Sequence, residues 1–180
     1  PATSAKRFAD TSVLIGEFLD HPPTSERSIK AISRMNFIHS PYQASGKISQ
    51  EDLLYTLSVF MTEPVRWIER YEWRPMTPME VCAIGTLWKG IADDMGIEYL
   101  SLLEGGKSGK GWIDGVEFWE DIAQWARRYE HEFLVPAVSN QRVGDETANL
   151  LLEMVPMKMR PMAKKTITVL MEPRLRRSMM

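Results

Sequence analysis

The chain has 180 residues, 44% hydrophobic and 26% charged, with a formal net charge of −2. That length suits one domain able to bury a cofactor-sized core, or one domain lacking a piece. The composition excludes a disordered chain, and the near-balanced charge leaves no global field to recruit nucleic acid. The single cysteine, Cys82, excludes a disulfide framework and a cysteine-based zinc site and fits a reducing, intracellular setting. No apolar run approaches the roughly 18 residues needed to span a bilayer, and the start at Pro1 has no signal-like pattern. Helical patterning begins almost at once, so missing upstream sequence is expected.

Charge is unevenly spread. Residues 154–180 hold Lys158, Arg160, Lys164, Lys165, Arg174, Arg176 and Arg177 against Glu172. A basic, methionine-rich end of this kind can touch an anionic membrane surface. A solvated helix face beside a core that uses methionine as filler is the simpler reading.

Helical spacing dominates, and no segment alternates with period two over a useful length. The expectation is an all-α fold, a single bundle-like domain over 1–180 with about eight helices. The first helix spans about Ser4 to Asp20, with Phe8, Thr11, Ile15, Phe18 and Leu19 on one side; His21-Pro22-Pro23 ends it. The second starts near Thr24 or Ser25, carries Ile29, Ile32, Met35, Asn36 and His39, and stops at Ser40-Pro41. Ser49 with Asp52 predicts the cap of a third helix that reaches Trp73, kinked at Pro64, with Leu53, Leu57, Phe60, Met61, Trp67, Ile68 and Tyr71 inside. Thr77-Pro78-Met79-Glu80 is the clearest local signal, a capping box with proline at the first helical position. That fourth helix ends at Gly96. A short helix at Tyr99–Leu103, a helix capped by Asp114, and two more at Asp145–Met154 and Met162–Met171 complete the chain.

Gly105 to Gly111 invites comparison with a phosphate-binding loop. The glycine spacing is wrong, Lys110 is followed by Gly111 rather than Ser or Thr, and no strand precedes it. A flexible basic insert is expected at 105–111. No Gly-x-Ser-x-Gly elbow is present. The three histidines, His21, His39 and His131, are too far apart for a helical two-histidine zinc site.

His39 stands apart because Ile32, Met35, Asn36 and His39 share one helix face. An imidazole on an apolar stripe is most often a satisfied core residue. It is also a workable ligand for iron in a dry pocket, with a neighbouring acceptor orienting its second nitrogen. On the first helix, Arg7 and Thr11 project from one side; alone, they read as an exposed cation and an ordinary helical threonine.

The run Arg34-Met35-Asn36-Phe37-Ile38-His39, then Lys47-Ile48-Ser49 and Asp52-Leu53-Leu54-Tyr55-Thr56-Leu57-Ser58, resembles the fungal ER-bound oxygenases of the mycophenolic-acid type. So do Glu63-Pro64-Val65-Arg66-Trp67 with Tyr71-Glu72-Trp73-Arg74, and Phe118-Trp119-Glu120-Asp121-Ile122 with Trp125 and Tyr129-Glu130. Leu170-Met171-Glu172-Pro173-Arg174-Leu175-Arg176 matches their end region. The likeness covers nearly the whole chain, with Gly105 to Gly111 as a variable insert. That family shares its catalytic domain with the bacterial rubber oxygenases, or latex-clearing proteins.

The resemblance implies an all-helical domain enclosing a heme b pocket and an oxidoreductase that cleaves C=C bonds of a lipid or terpenoid chain with dioxygen. It implies His39 as the proximal iron ligand and Arg7 and Thr11 as catalytic residues on the distal side; Arg34 is a candidate partner for a heme propionate by charge and position only. Partners would be a hydrophobic small molecule and dioxygen, with peripheral membrane contact through the basic end, and the location cytoplasmic or at the ER membrane. The chain departs from the pattern in three ways. The acidic residue placed upstream in the rubber enzymes lies before Pro1, the arginine they carry just before the histidine is Asn36 here, and the relatives' N-terminal membrane segment is absent. A heme-free or inactive helical paralogue, or a membrane-surface scaffold, is the alternative reading.

Overall fold

The computed structural model describes residues 2–179, with side chains from Ala5 onward. Among the described residues there are nine α-helices and one 3-10 turn, and no strand. In order they are α1 (Ala2–Leu19), α2 (Glu26–Ala44), α3 (Gln50–Tyr71), α4 (Pro78–Asp94), α5 (Glu104–Lys107), α6 (Gly115–Phe133), α7 (Val138–Leu152), the 3-10 turn Met157–Met159, α8 (Arg160–Leu170) and α9 (Pro173–Met179). The all-α expectation holds.

Local chemistry sets the helix starts. Ser25 accepts the N–H of Ser28 at 3.2 Å and opens α2. Ser49 and Asp52 form a reciprocal box at α3, with bonds of 3.0 and 2.9 Å. Thr77 and Glu80 do the same at α4, where Pro78 fills the first position. Arg74 grips the Glu80 carboxylate through two 2.8 Å bonds. This fork holds Glu80 down to about pKa 2. Asp114 accepts the N–H groups of Val116 and Glu117 and opens α6.

Proline accounts for two differences from expectation. α2 does not stop at Ser40-Pro41; it runs through Pro41 to Ala44, losing one backbone donor but keeping its course. The chain turns only at Gly46, whose φ is +68°. Pro173 begins a further helix beyond the last one expected. Glu172 accepts the N–H groups of Arg174 and Leu175, and proline is well suited to a first helical position. Similarly, α3 continues through Pro64 to Tyr71.

Three further expectations are corrected. Tyr99–Leu103 is a turn closed by the Leu103 N–H on the Tyr99 carbonyl, and the helical residues are Glu104–Lys107 instead. The Asp121 carboxylate accepts N–H groups from Glu104, Gly105 and the Trp112 indole. A Cβ on Gly106 would lie 2.2 Å from the Leu100 carbonyl oxygen, so backbone packs on backbone there. The glycine stretch read as a connector therefore carries a defined helical turn. α7 begins at Val138, seven residues before the expected Asp145. Gly144 weakens its helical signal in sequence, yet this glycine is buried against Met179.

The chain divides into two compact units: Leu14–Arg128, and the residues up to Val13 together with those from Tyr129 on. In Leu14–Arg128, α3 packs on α4. Leu54, Met61, Leu103, Phe118 and Ile122 are fully buried. Phe60 stacks on Trp88 at 5.2 Å, and Trp112 meets Phe118 edge-on at 5.1 Å. α4 and the start of α6 touch through glycine, since a Cβ on Gly85 would fall 2.0 Å from the Gly115 carbonyl oxygen. In the other unit α7 packs against α8 and α9, and Gly144, Ala148, Leu152 and Ser178 are the residues buried. Several residues expected inside are exposed, among them Phe8, Leu19, Ile29, Phe60, Trp67 and Tyr71.

Candidate functional site

α2 presents a continuous inward face. Ser28, Ala31 and Ile32 are buried, and Met35, Asn36 and His39 follow as half-buried residues at three- and four-residue steps. Asn36 Nδ2 donates to the Asp94 carbonyl at the end of α4, 3.0 Å away, which fixes the rotation of α2 at this level. One turn on, His39 Nδ1 is buried and has no hydrogen-bond partner. Burial pushes the imidazole below the ordinary histidine range, so it is neutral at pH 7. An unsatisfied buried polar atom costs about 1–3 kcal/mol. A neutral imidazole with a ring nitrogen free of protein partners is the kind of donor that heme iron takes, so His39 has the donor chemistry for that group. No protein acceptor orients His39 from its Nδ1 side.

Arg34 is not brought to this face. It lies five residues from His39, about 140° round the helix, exposed, with its guanidinium 5.3 Å from the Phe37 ring centre.

Arg7 and Thr11 are exposed on the first half of α1, and the structure does bring them together. Both line a groove of about 710 Å³ completed by α7 and the residues just after it. Phe8, Val143, Leu150, Leu151 and Met154 supply apolar surface; Arg142, Glu146 and Thr147 add polar groups. That volume and mixture suit a mostly apolar small molecule. This groove lies wholly within the unit that starts again at Tyr129, and His39 belongs to the other unit. Arg142 escaped sequence reasoning because the expected helix begins at Asp145; the start at Val138 puts Arg142 and Glu146 four apart on one face.

The remaining histidines play other parts. His21 is half-buried, with Nδ1 3.0 Å from the Glu17 carbonyl oxygen, and His131 is exposed on α6. Among the described residues, no group of three or more His, Cys, Asp or Glu side chains could hold a metal ion.

All 180 residues align with an ER-bound oxygenase mpaB' of Penicillium brevicompactum at 42% identity, covering 42% of that protein. They align equally with an ER-bound oxygenase mpaB of Penicillium roqueforti at 41% identity, covering 59% of it. The chain is a homologue of these ER-bound oxygenases. An mpaB of P. brevicompactum is 44% identical over 152 residues, which is 84% of this chain and 38% of that protein. The chain thus spans about half the length of the curated relatives it matches. No family model matches the chain, and no solved structure does.

Proposed function

We propose that this chain is the heme-binding part of an oxygenase that cleaves C=C bonds in a hydrophobic lipid or terpenoid chain. Its oxygenase homologues along the full chain support the reaction class. The observation that carries the cofactor is the buried, unpartnered Nδ1 of a neutral His39.

Heme b, when bound, would supply dioxygen binding and redox chemistry. The protein's contribution follows from its own residues. His39, kept neutral by burial, offers a lone pair without first losing a proton. Arg7, a permanent cation, and Thr11, a hydroxyl donor, would stabilise negative charge on an oxygen atom presented to their groove. The apolar side of their groove would hold an unsaturated hydrocarbon segment and keep water away. Arg34 is the candidate for a heme propionate, by its charge and its place on the same helix as His39. The relatives are named ER-bound; we place this chain at the ER membrane as well. No described helix is long and apolar enough to cross a membrane, and co-fractionation with microsomes tests the placement.

The cofactor is tested by hemin titration of the purified protein, followed by its absorption spectrum. The parent should develop a saturable Soret band with a one-to-one endpoint, and His39→Ala should lose it. His39→Ala binding hemin as tightly as the parent would remove the ligand assignment. No Soret band in the parent would favour a heme-free helical paralogue. Arg7→Ala should bind hemin like the parent and lose turnover.

A further inference from the structure

Between Met154 and Met171 the chain carries Lys158, Arg160, Lys164 and Lys165 and no acidic residue. The segment leaves apolar side chains in solvent: Met154 is 93% exposed, Met157 78%, Met162 63% and Val169 71%. They are not there for want of a core. The inward edge of α8 is already used, with Lys164, Ile167 and Thr168 lining a small cavity beside Gly144, Asp145 and Ala148 of α7. Lys164 is spent on Asp145, 3.2 Å away, and the Arg160 guanidinium donates to the Val155 carbonyl.

The outward edge of α8 is the complement. Met162, Lys165, Thr166 and Val169 follow at helical three- and four-residue steps, all exposed. The 3-10 turn before it presents Met157, Lys158 and Met159, likewise exposed. Flexible thioethers interleaved with lysines on an exposed, acid-free edge match a bilayer interface. Methionine can enter the headgroup boundary while the lysine ammonium groups stay among anionic headgroups.

We infer that the face formed by Met157, Lys158, Met162, Lys165 and Val169 docks on an anionic lipid surface. It holds this region at the membrane surface. The inference names a contact surface for the membrane placement proposed above and stands on this chain's own residues.

The test is sedimentation of the full chain with phosphatidylcholine vesicles, with and without about one third phosphatidylserine, at low and high salt. The parent should bind the anionic vesicles at least tenfold more tightly than neutral ones and lose most of that binding at high salt. Lys158→Gln with Lys165→Gln should weaken it about thirtyfold, since each basic residue at such a surface is worth about a factor of five. Met157→Gln with Met162→Gln should weaken binding even at low salt, which a purely electrostatic attraction would not show. Circular dichroism confirms that the variants keep the parent's helix content, as exposed positions allow. Equal binding to neutral and anionic vesicles, or variants that bind like the parent, overturns the surface while microsome co-fractionation still reads the placement. No vesicle binding, or salt-sensitive binding to a DNA duplex in its place, also overturns it.

Discussion

The two units of the chain use different materials. Leu14–Arg128 contains all six tryptophans and buries large side chains such as Phe118, Leu54 and Met61. From Tyr129 on there is no tryptophan, seven of the twelve methionines occur, and the buried residues are mainly small. The first arrangement fixes positions tightly, because rigid aromatic rings interlock and little volume is left to adjust. The second leaves flexible side chains on the surface and a groove beside α7. The candidate site residues divide along the same line, His39 and Arg34 in one unit and Arg7 and Thr11 in the other. A ligand position needs the first kind of environment; contact with a pliable apolar substrate tolerates the second.

A pair of glycine substitutions sharpens that contrast most strongly. Gly85→Ala would force a methyl group to within 2.0 Å of the Gly115 carbonyl oxygen, backbone against backbone. The helices must separate, and a loss of about 1–3 kcal/mol or more is expected. Gly144→Ala meets the Met179 side chain first, with the sulfur nearest at 3.0 Å. A flexible thioether can move aside, and alanine favours helix over glycine by about 1 kcal/mol, so stability should change by less than about 1 kcal/mol. Urea denaturation followed by circular dichroism compares the two. Equal losses would show that the tail unit is packed as tightly as the other.

A smaller effect is expected at the start of α4. Thr77→Ala removes the hydroxyl that accepts the Glu80 N–H and should cost about 1 kcal/mol. Tryptophan fluorescence reports only on Leu14–Arg128, so its urea midpoint should fall. An unchanged midpoint would mean that the Arg74–Glu80 fork holds this turn without the cap.

The helix starts were legible because a cap is local: Ser25, Ser49 with Asp52, Thr77 with Glu80, and Asp114 each act within four residues. The breaks were less so. Whether Pro41 stops a helix or is absorbed, and whether Pro173 ends or begins one, depends on neighbours such as Glu172 and on tertiary packing. The position of His39 on an inward face was readable from periodicity alone. That its Nδ1 is buried without a partner was not, because the lack of an acceptor is a property of every element packed around it. The groove beside Arg7 and Thr11 was hidden for a related reason. Its other wall, α7, runs through Gly144, which propensity counts against a helix.

The environment of His39 also makes a testable, smaller contribution to stability against pH. Burial lowers its folded-state pKa beneath the unfolded value of 6.5, so the unfolded chain binds the extra proton more readily. Stability therefore rises with pH; the loss begins as pH falls below the unfolded value of 6.5 and continues down through the lower folded-state pKa. One such group can account for no more than about 1.4 kcal/mol per pH unit, and for less than about 1 kcal/mol between pH 7 and pH 6. The parent should lose stability over that interval, read by urea midpoints from tryptophan fluorescence. His39→Gln, with no titrating group at this position, should lose correspondingly less. His21 and His131 remain in both proteins, so the difference between the two slopes isolates His39. Identical slopes would mean that the imbalance at Nδ1 is relieved in solution, by water or by a small shift of α2. The nitrogen would then be less available to iron than its burial indicates. A flattened slope in the variant, together with the loss of hemin binding, would tie the ligand role and the acid sensitivity to the same buried atom.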